Sequence, residues 1–343
     1  MAGKGIMIEA LFYQKKPSAA VQCGLCRHGC VIQKGKTGIC GVRENREGTL
    51  FSLVYEQCIS QAVDPIEKKP LFHFYPGSLA YSIATVGCNF QCRHCQNYSI
   101  SQMVADYGRI AGDAVTAHEI VRAAKQSGCT SIAYTYTEPT VFYEYAYECA
   151  VLAAEQGIHN VFVTNGYISA AALRHIQPYL AAANVDLKSF SDDFYRTICG
   201  ARLKPVLETL QLCRELGIWL EITTLIIPTY NDSDEELKQL AQFIVSLSPD
   251  VPWHISAYHP AYRLTDRPRT TATTLQRARS IGLEAGLRYV YVGNIPGETG
   301  ENTWCFQCGN LLIERIGFHI RQNQVKNGRC QVCGAEIAGV GLP

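Results

Sequence analysis

The sequence lacks an excess of charge of either sign. Its 343 residues include 31 Lys and Arg against 30 Asp and Glu, a formal net charge of +1, and only 18% are charged. An average soluble domain has about 25% charged residues, and a nucleic-acid-binding domain concentrates Lys and Arg on one face. The composition therefore argues against a protein that acts mainly on nucleic acid.

Long apolar runs are missing as well. No run approaches the roughly 18 apolar residues of a membrane span. Residues 1–16 also lack the uninterrupted apolar stretch of a signal peptide. We therefore expect a cytoplasmic protein with no membrane partner. With 47% hydrophobic residues, the chain can form one large core or two domains.

Cysteine, in contrast, is abundant, with 16 residues. In a reducing compartment, many thiols indicate metal ligands rather than disulfides. Eleven cysteines fall into an N-terminal group (Cys23, Cys26, Cys30 and Cys40), a central group (Cys88, Cys92 and Cys95) and a C-terminal group (Cys305, Cys308, Cys330 and Cys333). The other five stand alone, and a lone cysteine usually packs as a small apolar residue.

Short β-rich segments alternate with longer amphipathic ones from residue 79 onward. The pattern predicts strands at 79–86, 131–137, 160–164, 184–188, 219–227, 252–258 and 288–292. It predicts helices at 116–127, 141–156, 169–180, 192–216, 233–247 and 272–286. This alternation implies an α/β fold with a parallel sheet, and six or seven units predict a partial (βα)6-type barrel. Polar residues at the carboxyl ends of the strands should then form one site.

Two local signals mark the helix ends. Capping boxes are expected at Thr116 with Glu119 and at Ser233 with Glu236. Gly128, Gly157 and Gly217 suit the position after a helix.

Along the whole chain, three segments are expected: a four-cysteine module with its connector at 1–75, the βα barrel at 76–299, and a second cysteine module at 300–343.

The central group has the spacing C-x3-C-x2-C and follows the first predicted strand. Three closely spaced thiolates can wrap one iron–sulfur cluster, which normally has four cysteine ligands. No fourth cysteine lies nearby, so one iron should stay open to another ligand, as in a reactive site. A zinc ion with a distant fourth ligand is the alternative.

The two outer groups also predict metal sites. The C-terminal group consists of two C-x2-C pairs, each followed by glycine, which is typical of a zinc ribbon. A module of this size needs a metal to fold, so its zinc is expected to be structural. Zinc is also the first choice for the N-terminal group, although its spacing accepts an iron–sulfur cluster equally well.

Residues 87–101 around the central group, together with 64–71, 134–139, 161–167 and 186–190, resemble the radical S-adenosylmethionine (SAM) enzymes of the AmmeMemoRadiSam system. The resemblance covers nearly the whole chain. The wider relatives are the activating enzymes of glycyl-radical enzymes, such as that of pyruvate formate-lyase. It implies a [4Fe-4S] cluster whose open iron binds SAM. Reductive cleavage of SAM then gives a 5′-deoxyadenosyl radical that abstracts hydrogen from a substrate.

The resemblance also implies SAM contacts at the strand ends. These are His94, Thr137, Glu138, Thr164, Asn165, Asp186, Lys188 and His259. Tyr136 and Thr137 replace a glycine pair of the related enzymes. Glu138 could instead cap a helix, and Asp186 with Lys188 could be a structural ion pair. A single histidine such as His259 is also more often structural than catalytic.

Partners follow from the same resemblance. It implies a low-potential electron donor, flavodoxin or ferredoxin, and it offers an auxiliary iron–sulfur cluster as the alternative for the N-terminal group. The substrate is either a glycine of a partner protein or a small metabolite, and AMMECR-like and Memo-like proteins are candidate partners. A hypothesis of another class is a non-catalytic, metal-stabilised module that binds nucleic acid, which the balanced charge disfavours.

Overall fold

The computed structural model describes residues 7–295 and 300–343. The first six residues of the N-terminal segment and the expected segment boundary at residue 299 lie outside the described residues. The chain divides into a first unit, Met1–Asp64 with Leu79–Ala181, and a second unit, Pro65–Ser78 with Ala182–Pro343. These units do not coincide with the three segments expected from the sequence.

The strands of the first unit form small antiparallel sheets around the N-terminal group and a parallel sheet beyond it. They are β1 (Ile8–Glu9), β2 (Tyr13–Lys15), β3 (Val21–Cys23), β4 (Val31–Ile32), β5 (Arg43–Arg46), β6 (Thr49–Ser52), β7 (Gln57–Cys58), β8 (Ser60–Pro65), β9 (Leu79–Ala84), β10 (Asp113–Ala114), β11 (Ser131–Tyr134) and β12 (His159–Thr164). β11 pairs in parallel with both β9 and β12, and Ala133 lies opposite Ser82 and Val161. Every residue of β11 is buried, as a parallel strand covered on both faces should be.

Most helices of the first unit contribute buried residues. They are α1 (Tyr98–Ser101), α2 (Met103–Tyr107), α3 (Ala117–Gln126), α4 (Tyr143–Glu155) and α5 (Ala170–Ile176), with short 3₁₀ helices at Pro17–Ala19, Pro139–Phe142 and Gln177–Tyr179. In α3, Ala117, Ile120 and Ala124 are buried at helical spacing. The predicted capping box is confirmed, because Thr116 and Glu119 bond reciprocally at its start.

The second unit repeats the alternation of parallel strands and helices. Its main strands are β13 (Leu180–Asp186), β14 (Trp219–Ile226), β15 (Trp253–Ala257) and β16 (Val290–Gly293), and its helices are α6 (Asp192–Phe194), α7 (Leu203–Glu215), α8 (Asp234–Leu247) and α9 (Ala272–Glu284), with a 3₁₀ helix at Ile66–Lys68. β13 to β16 pair in parallel in chain order. The α/β prediction is therefore confirmed, but neither unit closes into a barrel within the residues described.

Two local predictions for the second unit are wrong. The helix expected at 192–216 is interrupted by a π-helical turn at Tyr195–Cys199 and by Gly200, whose φ of +71° ends the helix. Ser233 accepts the N–H of Glu236 as a cap should. However, Glu236 bonds to Ser189 instead of completing the box.

The last part of the second unit is a small β module. Its strands are β17 (Thr303–Trp304), β18 (Leu311–Ile316), β19 (His319–Asn323), β20 (Val325–Lys326) and β21 (Arg329–Cys330). Leu312, Ile313 and Val325 form its core together with Tyr289 and Tyr291. None of the helices that the structure describes is long and apolar enough to cross a membrane.

Candidate active site

The central cysteine group occupies the loop after β9. Cys88, Cys92 and Cys95 all lie between Ala84, where β9 ends, and Tyr98, where α1 begins. The N–H of Cys95 donates to the carbonyl oxygen of Cys92 at 3.1 Å and closes a turn. The three thiols therefore lie at the carboxyl end of a parallel strand, where α/β folds carry their chemistry.

Gly87 lets this loop pass close to the N-terminal group. Its φ is +101°. A Cβ atom there would lie 2.7 Å from Cγ1 of Val42 and 3.3 Å from the carbonyl oxygen of Cys40. Any other residue would be strained and would collide with this segment. The Cys88 loop and the Cys40 segment are therefore in direct contact.

Two of the sulfur atoms have close polar neighbours. Sγ of Cys88 accepts the N–H of Phe90 at 3.3 Å, and Sγ of Cys95 lies 3.2 Å from Oγ of Ser101. Burial raises the pKa of Cys88 well above its usual value, and the charge of Glu138 adds to the rise. A bound metal acts in the opposite direction, because it holds a coordinating thiol deprotonated.

Glu138 follows β11 and caps the 3₁₀ helix Pro139–Phe142. Its Oε1 accepts the N–H of Thr140 at 3.0 Å and the hydroxyl of Thr164 at 2.7 Å. Its Oε2 accepts the N–H of Asn165 at 2.8 Å. Burial raises the pKa of Glu138, and these hydrogen bonds oppose the rise. Capping a helix is the alternative role that the sequence left open for Glu138. The same carboxylate also holds the chain at the end of β12, because Thr164 and Asn165 donate to it.

Asn165 joins this carboxylate to the cysteine loop. Its Nδ2 donates to Oδ1 of Asn89 at 2.7 Å and lies 3.8 Å from Sγ of Cys88. Its Oδ1 accepts the N–H of Tyr167 at 3.0 Å. Polar groups from the ends of β9, β11 and β12 are thus brought together in the first unit, as the strand-end rule predicts.

Two further candidates, His94 and Thr137, belong to the first unit as well. His94 is buried in the cysteine loop, and the hydroxyl of Thr137 donates to the carbonyl oxygen of Thr85 at 2.9 Å. Tyr136, which replaces a glycine of the related enzymes, has a φ of +63°. This conformation is costly for a tyrosine, and a hydrogen bond from its hydroxyl to Asp64 holds it.

The remaining candidates lie in the second unit. Nζ of Lys188 donates to Oδ2 of Asp186 at 2.8 Å, and the two side chains are 14% and 35% exposed. This is the ion pair that the sequence left open as an alternative. His259 follows β15 and is exposed.

Sequence reasoning missed a buried polar cluster in the second unit. Glu221 of β14 bonds to Nε2 of His254 at 2.6 Å and accepts the backbone N–H groups of Phe72 and His73 at 3.0 and 2.8 Å. The sequence did hold a signal for this cluster, the carboxylate of Glu221 inside an apolar strand. A buried carboxylate is costly unless it is paired, so a partner could have been expected. The cluster ties residues 65–78 to the strands of the second unit.

The C-terminal group is compact enough for one metal ion. Its four sulfur atoms lie within 4.8 Å of one another. Sγ of Cys305 is 3.6 Å from that of Cys333, and Sγ of Cys308 is 3.7 Å from that of Cys330. A tetrahedral zinc ion with Zn–S bonds of about 2.3 Å requires a spacing of about 3.8 Å. These distances fit a single ion.

The comparisons with known proteins bear on the central group. The family described as the radical SAM superfamily matches residues 82–244. An uncharacterized protein of Methanocaldococcus jannaschii is 47% identical over 334 residues, which span 96% of this chain and 99% of that protein. This chain belongs to the radical SAM superfamily.

Less similar proteins have named activities. The pyruvate formate-lyase-activating enzyme of Clostridium pasteurianum is 25% identical over 180 residues, which cover 50% of this chain and 72% of that enzyme. A solved radical SAM methyltransferase from Sphaerobacter thermophilus superposes with a TM-score of 0.52 at 18% identity, over 77% of this chain and 76% of its own. At that identity the likeness shows the fold alone.

Radical SAM membership implies a [4Fe-4S] cluster and SAM, and the central group fits them. Among the described residues, the sulfur atoms of Cys88, Cys92 and Cys95 do not all lie within 4.8 Å of one another. Three thiolates on one loop can each bind one iron of a [4Fe-4S] cluster and leave the fourth iron open to another ligand. Nδ2 of Asn89 is buried beside Cys88 without a hydrogen-bond partner. Oε2 of Glu138 accepts one bond and can accept another from an ammonium group.

Proposed function

We propose that this chain cleaves SAM reductively at a [4Fe-4S] cluster held by Cys88, Cys92 and Cys95. The observation that carries the proposal is the three-thiolate loop after β9, which Asn165 contacts from the end of β12. Glu138, which follows β11, in turn accepts the N–H of Asn165. When bound, the cluster and SAM supply the chemistry: one electron breaks the S–C5′ bond, methionine leaves, and the 5′-deoxyadenosyl radical takes a hydrogen atom from the substrate.

The residues of the chain bind and orient the cluster and SAM. Asn165 fixes the cysteine loop through Asn89, and Glu138 holds Asn165. The free lone pairs of Oε2 of Glu138 suit the SAM ammonium group. The side chain of His94 is a candidate platform for the adenine. In the second unit, Asp186, Lys188 and His259 are further candidate SAM contacts.

We propose an activase-like substrate, the Cα–H of a glycine in a partner protein. The support is the relation to a pyruvate formate-lyase-activating enzyme. The hydrogen atom would move from Cα to C5′, leaving a glycyl radical and 5′-deoxyadenosine. A flavodoxin or ferredoxin would supply the electron, and AMMECR-like and Memo-like proteins are the candidate partners that the resemblance to the AmmeMemoRadiSam system offers.

The first test is 5′-deoxyadenosine formation by anaerobic, iron-reconstituted protein with SAM and dithionite. We expect product from the native chain and none above background from a Cys88/Cys92/Cys95→Ala variant. A Cys129/Cys213→Ala variant is the matched control, because it removes buried thiols outside the three groups. Equal rates in all three proteins would reject the proposal.

The second test concerns the substrate. Each candidate partner is prepared with Cα-deuterated glycine and added to the reaction. An activase gives deuterated 5′-deoxyadenosine and a glycyl-radical signal in the partner. Unlabelled product with every partner rejects these proteins as hydrogen donors and favours a small metabolite.

A further inference from the structure

Ser101 lies against one of the three sulfur atoms of the central group. Its Oγ is 3.2 Å from Sγ of Cys95, and the residue is only 4% exposed. Serine is usually found on the surface, and a buried hydroxyl needs a partner inside the protein. Here that partner is a proposed iron ligand. None of the expectations drawn from the sequence gave Ser101 a role.

The helix that carries Ser101 points its side chain at the cysteine loop. Ser101 is the last residue of α1, and its N–H donates to the carbonyl oxygen of Asn97 at 2.9 Å. Side chains of a helix point back toward the start of the helix. The cysteine loop ends just before α1, so this direction brings the hydroxyl of Ser101 to Cys95.

Gln102 determines how the hydroxyl of Ser101 is used. Its Nε2 donates to the carbonyl oxygen of Phe90 at 3.0 Å and lies 3.5 Å from Oγ of Ser101. A carbonyl oxygen only accepts, so the nitrogen of this amide must face Phe90, and an amide nitrogen only donates. Oγ of Ser101 is therefore an acceptor toward Gln102. Its own hydrogen is left for Sγ of Cys95.

The same contacts connect the two ends of the cysteine loop. Phe90, which accepts from Gln102, donates its own N–H to Sγ of Cys88 at 3.3 Å. Ser101 reaches Sγ of Cys95 at the other end of the loop. Gln102 itself is buried, with 4% of its surface exposed. Two of the three sulfur atoms thus have a donor facing them, which suits sulfur that carries negative charge.

A metal-bound Cys95 leaves one direction for the bond to Ser101. A neutral thiol is a weak donor and a weak acceptor, so it could bond to a hydroxyl in either direction. A coordinating thiol is deprotonated and can only accept. Reduction adds one electron to a cluster, and a more negative sulfur holds a hydrogen-bond donor more strongly. Hydrogen bonds to the sulfur atoms are therefore among the features that set the reduction potential of a cluster.

We propose that Ser101, oriented by Gln102, donates a hydrogen bond to the Cys95 thiolate and thereby raises the reduction potential of the central iron–sulfur cluster. The cluster then takes one electron more readily from a low-potential donor protein, which is oxidised by one electron, and no atom is transferred. This role rests on the proposed cluster at the central group and adds to it a residue that tunes its reduction.

The midpoint potential of the central cluster tests this role without any need for SAM cleavage. It is measured by EPR on anaerobic, iron-reconstituted protein poised at a series of potentials. The signal of the central cluster is the one that the Cys88/Cys92/Cys95→Ala variant lacks. A cluster at the N-terminal group, which the sequence left open, would keep its signal in that variant.

Ser101→Ala removes the hydroxyl and should lower the potential. At a fixed applied potential the ratio of reduced to oxidised cluster should fall on the order of tenfold, which equals a shift of about 59 mV for one electron. Iron content per chain should stay at the native value. Ser101→Thr keeps a hydroxyl and should keep a potential close to the native one. Ser99→Ala is the matched control, because Ser99 is an exposed serine of the same helix.

The possible results separate this role from the proposed function. A native potential in Ser101→Ala would overturn the role of Ser101 and leave the proposed cleavage of SAM untouched. So would an equal shift in Ser99→Ala, or a Ser101→Thr protein as low in potential as Ser101→Ala, because the hydroxyl would then not be responsible. A native protein without the signal of the central cluster would overturn the proposed function, and the role of Ser101 with it.

Discussion

Nδ2 of Asn165 lies 2.7 Å from Oδ1 of Asn89 and 3.8 Å from Sγ of Cys88. One side chain at the end of β12 therefore holds the loop that begins at the end of β9. Residues that support metal ligands in this way are often as important as the ligands, because they fix the orientation of the sulfur. The four-residue chain from Cys88 through Asn165 to Glu138 and Thr164 is the frame of the proposed active site.

Replacement of Asn165 should weaken the cluster. Asn165→Ala removes the bond to Asn89 and the contact with Cys88, and loss of such a supporting group typically costs about 10- to 100-fold in metal affinity or activity. We expect faster loss of iron to a chelator and slower 5′-deoxyadenosine formation. Both are measured anaerobically on reconstituted protein.

Asn160→Ala provides the control for that variant. Asn160 is also buried on β12, and it bonds to Tyr134 and to the carbonyl oxygen of Ala150 rather than to the loop. This variant should unfold more easily but keep the iron as firmly as the native chain. Equal iron loss in the two variants would show that general instability, and not the loop contact, is responsible.

The donors to Glu138 should also contribute to stability. Thr164→Val keeps the shape but removes a hydroxyl that donates to the buried carboxylate at 2.7 Å. Hydrogen bonds to charged groups contribute about 1.5–3 kcal/mol, so the free energy of unfolding should fall by that amount. Thr209→Val is the control, because its hydroxyl donates to the neutral carbonyl of Pro205. Urea unfolding at pH 7 should show a smaller loss for the control.

Much of the fold could be predicted from alternation of apolar and polar residues. The strands at 131–137, 219–227 and 252–258 match β11, β14 and β15 to within three residues. β13 begins four residues before its predicted start, because alanine has little strand propensity and Ala182 and Ala183 are fixed by pairing with β14. The helix at 192–216 fails because apolar periodicity continues through the break at Gly200.

The site was predictable only in part. Cysteine spacing predicted the central group, and the family resemblance predicted roles for Glu138 and Asn165. Nothing local in the sequence could pair Asn89 with Asn165, since 76 residues separate them.

Metal removal should unfold the C-terminal module. We predict about one zinc per chain at the C-terminal group, which joins two knuckles that share a small core with Tyr289 and Tyr291. Cys308→Ser should release the zinc and expose 300–343 to limited proteolysis. Val332→Ser, between Cys330 and Cys333 in the other knuckle and 68% exposed, should do neither. A zinc-free Cys308→Ser protein whose module stays protected would reject a structural role for the metal.

Stability should fall at acidic pH because of His73. Burial lowers the pKa of His73 to about 4, although the nearby charge of Glu221 opposes the shift. Nδ1 lies 2.6 Å from the carbonyl oxygen of Ala338, which can only accept, so Nε2 is the unprotonated nitrogen that accepts the hydroxyl of Tyr291. The folded protein thus holds His73 neutral, whereas the unfolded chain protonates it near pH 6.5.

The sign of this effect follows from proton binding. Between about pH 6.5 and 4 the unfolded state binds one proton more than the folded state. The contribution of neutral His73 to the free energy of unfolding is therefore fully present above pH 6.5 and is lost as the pH falls through this range. The loss is at most about 1.4 kcal/mol per pH unit. In urea unfolding at several pH values, His73→Asn should be less stable at pH 7 but should show a shallower acid slope. The exposed His319→Asn should keep the native slope, and an unchanged slope in His73→Asn would reject the assignment.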